Sequence, residues 1–162
     1  MAFRDFWNQP SRACRNAQLL FAALTVGFGV ASILYAAFPT QIGDGFAQMD
    51  RLLGGTGAPY PEPQNRIWTS LAAANVATLS LLSFQLLRDL RKYRALHLPL
   101  LFMKTTSALL FLAWFAAFPQ ATSLLIAFAG DFATGLTIWW LPKRAFAELD
   151  ADPRLVPAAL LD

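Results

Sequence analysis

Two ionisable residues, Lys104 and Asp131, stand inside apolar runs where the hydrocarbon of a bilayer is expected. Charge at that depth is costly, so such side chains face the protein interior and take a partner or serve a function. Asn75 reaches a similar depth in a separate apolar run. Helical spacing puts Ser107 on the face of Lys104 and Thr134 on the face of Asp131. The candidate ligand-binding or structural cluster is therefore Asn75, Lys104, Ser107, Asp131 and Thr134.

At the helical rise, Lys104 lies about one turn, or ~5 Å, from the level of Asp131. A lysine stem can cross one turn. In an antiparallel hairpin, however, each Cβ leans toward its own helix N terminus, which carries these two apart. Three arrangements are open: a charge-neutral pair that locks the bundle, Lys104 snorkelling to the inner surface beside a protonated Asp131, or a proton relay or ligand counter-ion.

Further catalytic machinery is hard to find. HExxH, CxxC and GxSxG are absent, and the Gly54–Gly57 run lacks the lysine of a phosphate-binding loop. Asp150 and Asp152 precede Pro153 in a polar segment and read as solvated. One cysteine, Cys14, excludes an intramolecular disulfide, and one histidine, His97, leaves no histidine-rich metal site. Cys14 is read as an inert thiol and His97 as a solvated interfacial residue. The expectation is a non-catalytic protein with no cofactor and no bound metal.

The elements that must position the cluster are spanning helices. The chain has 162 residues, 56% hydrophobic and 14% charged, against roughly a quarter charged in soluble domains. Mean hydropathy is +0.43. The apolar residues lie in long blocks rather than in alternation, which favours helices over a barrel. Four spans are expected, at 17–38, 67–87, 98–118 and 122–141, with a tail at 143–162. The fold class is an all-α integral membrane protein, a four-transmembrane-helix antiparallel bundle in one domain.

The second span is rich in Thr69, Ser70, Asn75, Thr78, Ser80, Ser83 and Gln85, so it should be central and hydrogen-bonded to neighbours. Pro119-Gln120 makes the last two spans a hairpin. In the first long connection, Ile42, Phe46, Met49 and Leu53 recur at helical spacing, while Asp44, Gln48, Asp50 and Arg51 fall mostly off that stripe. This predicts a short amphipathic helix in an outer loop, stopped by Gly54-Gly55. Pro59, Pro61 and Pro63 make the following stretch irregular, and Ser11 is placed to cap the first span.

Lys and Arg gather before the first span, in the 88–94 loop and after the fourth span, which predicts both termini in the cytoplasm. Trp7, Trp68, Trp139 and Trp140 are candidate membrane-interface anchors, with Phe3 and Phe6 beside the first. Anionic headgroups account for the basic loop without nucleic acid. The expected function is an accessory or structural subunit of a bacterial inner membrane. Its partners would be lipids and other membrane-protein subunits, or further copies of itself, met through aromatic faces that include Phe111, Trp114, Phe115 and Phe118. The alternative is a carrier or binding protein for a lipophilic or protonatable small molecule, held at Asn75, Lys104 and Asp131. That alternative demands an aromatic-lined pocket reaching those residues.

Overall fold

The computed structural model describes residues 11–57 and 66–152. They form helices α1 (Arg12–Ala37), α2 (Pro39–Leu52), α3 (Arg66–Arg88), α4 (His97–Ala117) and α5 (Ser123–Ala151), with a 3₁₀ turn at Arg94–Leu96 leading into α4. No strand occurs among the described residues. All but α2 supply helices long and apolar enough to cross a membrane. The expectations for Phe3, Phe6, Trp7, the proline-rich stretch and the chain beyond Asp152 fall outside the described residues.

Local chemistry sets the helix limits. The Ser11 hydroxyl oxygen accepts the Cys14 N–H at 3.0 Å, so α1 begins five residues before the uncharged run and Cys14 is buried inside the bundle. Pro39 needs no N–H partner at the first helical position and opens α2. Gly54, at φ +82°, turns the chain after α2.

Helices α1 and α3 are joined by a regular ladder. Gln18 Nε2 donates to Leu87 O at 3.4 Å, Ser80 Oγ to Thr25 O at 2.8 Å, and Ser32 Oγ to Ala73 O at 2.9 Å. The partners step by seven residues on both helices, in opposite directions. That is the repeat of an antiparallel coiled coil. Close approach makes the bonds possible: a Cβ on Gly29 would lie 3.4 Å from Ser80 Oγ. Interhelical bonds of this kind are worth about 0.6 kcal/mol each in a membrane, so the ladder fixes register more than it adds stability.

Helix α5 does not stop at the expected exit. It runs through Pro142, which is buried, to Ala151. Proline supplies no N–H to the carbonyl four residues back, which here belongs to Ile138. His97 Nε2 takes that carbonyl as its acceptor at 2.7 Å. The interruption is satisfied from the neighbouring helix, and α5 continues. This corrects the reading of His97 as a solvated residue. Its ring also packs edge-on to Phe146, with centroids 5.3 Å apart. The basic loop secures the rest of the extension. Arg91 Nη2 donates to Leu149 O at 2.8 Å and Asp152 O at 3.1 Å, and Arg94 Nη1 lies 2.5 Å from Asp150 Oδ1.

The bundle is packed at one end and hollow at the other. The core gathers Cys14, Ala17 and Phe21 from the start of α1, Leu79 and Leu86 from the last turns of α3, Leu90 and Leu100 around the basic loop, and Ile138 to Leu149 from the end of α5. Over the bundle as a whole the principal contacts are α1 with α3, α4 with α5, and α1 with α5, while α3 and α4 touch little.

Candidate functional site: an aromatic cleft with a polar floor

The seam that α3 and α4 leave open is a cleft of about 590 Å³. Helix α1 contributes Phe28 and Tyr35, α3 contributes Asn75, α4 contributes Lys104, Ser107 and Phe111, and α5 contributes Gly130 and Asp131. Helix α2 lies across its end with Pro39, Ile42 and Phe46.

The floor is built from the hairpin of α4 and α5. Lys104 Nζ donates to Asp131 Oδ1 at 2.5 Å, and the Ser107 hydroxyl donates to the other carboxyl oxygen. The side chains of Lys104 and Asp131 are 12% and 19% exposed, so both are mostly withdrawn from the surface. The register explains how they meet. A Cβ on Gly135 would stand 3.8 Å from Lys104 Cβ, so the lysine enters one turn away from Asp131. Gly135 leaves room for the stem, which then crosses that turn to the carboxyl group. The ammonium also lies 4.8 Å from the centre of the Phe28 ring, a cation–π distance. The Lys104 side chain thus ends on Asp131 instead of running to the end of the bundle.

Two polar groups in the cleft are unspent. Asn75 and Tyr35 both line it, and neither makes a hydrogen bond among the described residues. Asn75 belongs to the predicted cluster by position, not by bonding. Thr134 does not join: its hydroxyl donates to Gly130 O at 2.7 Å within its own helix. Thr78, three residues beyond Asn75 on α3, likewise donates to Ala74 O at 2.9 Å. Tyr35 and Phe28 were missed in the sequence, since α1 beyond Arg15 carries no charge to draw the eye to a particular face. The side chain of Trp68 lies outside the described residues, while Trp139 and Trp140 are exposed on α5, with Lys143 Nζ 3.6 Å from the Trp139 ring centre.

A second polar site holds α2 in place. Asp50, only 4% exposed, accepts the Ser123 N–H at 3.0 Å and the Thr122 hydroxyl at 2.9 Å through Oδ1, and the Gly57 N–H at 2.9 Å through Oδ2. The carboxylate caps the N terminus of α5 from another element, where the helix dipole favours negative charge. The Ser123 N–H is the largest influence holding its carboxyl below the usual carboxylate range; burial pushes the other way and loses. Asp50 was expected off the apolar stripe of this helix. Instead the buried face is rotated toward Ala47 and Asp50, because the clamp outweighs the exposure of Leu53. Gly55 makes the clamp possible: a Cβ there would come within 2.5 Å of Asp50 Oδ2 and Gln120 O.

Among the described residues no group of three His, Cys, Asp or Glu side chains gathers as metal ligands. Four long apolar helices around a buried polar floor define the class, an α-helical membrane protein. No family model, no curated protein and no solved structure matches the chain.

Proposed function

We propose that this protein binds a small lipophilic molecule in the cleft between α3 and α4, without catalysing a reaction on it. The observation that carries the reading is a cleft of about 590 Å³ in which two polar groups, Asn75 and Tyr35, have no hydrogen-bond partner among the described residues. Small-molecule sites typically span about 300–1,000 Å³, with apolar walls and a few polar groups that set orientation. In this reading Lys104 is an ammonium and Asp131 a carboxylate. Either charge alone would be expensive inside a membrane, and together they leave the floor neutral.

The proposed setting is a bacterial inner membrane with the packed end toward the cytoplasm. Arg12 and Arg15 at the start of α1, the Arg88–Arg94 loop, and Lys143 and Arg144 on α5 all belong to that end, as the positive-inside rule requires of a cytoplasmic face.

The test is mass spectrometry of the protein released from mild detergent. Gly130 lines the cleft, and a Cβ there meets nothing within 4 Å, so Gly130→Phe should fill the space without opening the bundle. Wild type should carry a bilayer-derived molecule that the variant lacks at equal thermal stability. Equal occupancy in both would sink the proposal. The open seam also favours a second reading, an accessory subunit that receives a helix of a partner membrane protein between α3 and α4. Migration of the purified protein with a larger assembly, lost in Gly130→Phe, would select that reading.

A further inference from the structure

Taking the cleft to be a small-molecule site, we infer that its ligand is an uncharged amphiphile that presents a carbonyl oxygen and enters from the bilayer. The inference follows from which hydrogen-bonding groups are spent. An ammonium has three donors. One Lys104 donor goes to Asp131 and one side of the group faces the Phe28 ring, which leaves a donor for the cleft. The Tyr35 hydroxyl and the Asn75 amide add further donors with no acceptor among the described residues. The acceptors on the floor are already engaged: both Asp131 oxygens receive hydrogen bonds, from Lys104 and from Ser107. With the Asn75 side-chain oxygen and the Tyr35 hydroxyl oxygen counted as open acceptors, the four open donors, one on Lys104, one on Tyr35 and two on Asn75, still outnumber the acceptor atoms. A carbonyl oxygen supplies two lone pairs and brings no proton of its own.

Charge decides against the obvious competitors. Among the described residues lining the cleft, Lys104 and Asp131 are the only amine and carboxyl group, and their charges balance. A fatty carboxylate would add an uncompensated negative charge in a low-dielectric site unless Asp131 took up a proton. An alkyl ammonium would add a positive one unless Lys104 gave a proton up. An uncharged carbonyl compound needs neither event. Entry is lateral, because α3 and α4 scarcely touch beside the cleft, and the walls of Phe28, Phe46 and Phe111 suit the apolar body.

Three probes of matched chain length test this: a methyl ketone, a carboxylic acid and a primary amine. Each is titrated against the protein in non-ionic detergent and counted by mass spectrometry, with Gly130→Phe as the blocked control. The ketone should bind about tenfold more tightly than either charged probe, a difference of about 1.4 kcal/mol. Its binding should not change across neutral pH, and it should weaken in a Tyr35→Phe, Asn75→Leu double variant. Preferential binding of the acid or the amine, abolished by Gly130→Phe, would overturn the ligand class and keep the cleft. Binding of all three that Gly130→Phe leaves unchanged, or binding of none, would overturn the ligand class and the small-molecule reading together.

Discussion

His97 Nε2 donates to the carbonyl oxygen of Ile138, the group that Pro142 leaves without a helical partner. A carbonyl can only accept, so Nε2 carries the proton in this arrangement. The bond ties the first turn of α4 to the point where α5 would otherwise break. It keeps α5 continuous into the segment that Arg91 and Arg94 grip.

The first prediction concerns that bond. His97→Leu should destabilise the protein by about 1–3 kcal/mol, the cost of a buried carbonyl left unsatisfied. Pro142→Ala restores an N–H to α5, which can bond Ile138 O directly. In that background His97→Leu should cost under about 1 kcal/mol of the same penalty. Thermal unfolding in detergent of the four proteins checks this. Equal losses in the two backgrounds would show that the histidine does not serve the proline gap.

The α1–α3 ladder makes a prediction about two glycines. Gly29 faces Ser80 Oγ, and Gly27 faces open space. Gly29→Leu should force the helices apart at a cost of about 1–3 kcal/mol, the usual range for overpacking. Gly27→Leu should be tolerated. Thermal stability in detergent separates them, and equal behaviour of the two variants would contradict the register.

Much of this architecture is legible in the sequence, and the limits are instructive. Spanning helices announce themselves because apolar runs of that length have few other uses, and Lys104 and Asp131 stand out because charge is rare there. The ladder is hidden because Gln18, Ser32 and Ser80 all donate to backbone carbonyls, which every residue carries. No partner residue type betrays the pairing. Pro142 reads as a helix end unless the acceptor it strands is known to be served by a residue 41 positions away. The clamp on Asp50, which the pattern places only off the apolar stripe, is hidden because its three donors come from segments distant in sequence or from backbone. The cleft is hidden most completely. It exists because two helices fail to meet, a tertiary fact with no local signature.

Asp50 carries the pH prediction. Its folded-state carboxyl is held below its ordinary value, so its contribution is fully present above the unfolded value of roughly 3.9. That contribution is lost as pH falls through the lowered folded value. The protection of α2 against hydrogen exchange, taken relative to the intrinsic exchange rate at each pH, should therefore be unchanged from neutral pH to about pH 4–5 and should fall only in stronger acid. Asp50→Asn should reproduce the acid state at neutral pH, losing about 2 kcal/mol of charge-assisted hydrogen bonding. Protection of α2 in the variant equal to wild type would refute the clamp.

The last prediction tests the floor of the cleft. With Lys104 charged and Asp131 ionised, Asp131→Asn leaves an ammonium in the bundle without its counter-ion. Breaking such a pair costs about 3–5 kcal/mol, because the surviving charge stays buried. Lys104→Met alone should cost a similar amount, leaving a carboxylate that keeps only the Ser107 hydroxyl. The double variant removes both charges, so it should be markedly more stable than the two losses added together. A neutral Asp131 predicts the opposite: Asn is nearly isosteric with a protonated carboxyl, Asp131→Asn is mild, and the two effects add. Unfolding of wild type, both single variants and the double in detergent separates the cases. Should the double variant fold well yet fail to bind a ketone that wild type holds, the pair serves the ligand; if binding persists, Lys104 and Asp131 serve the bundle and Asn75 and Tyr35 orient the ligand alone.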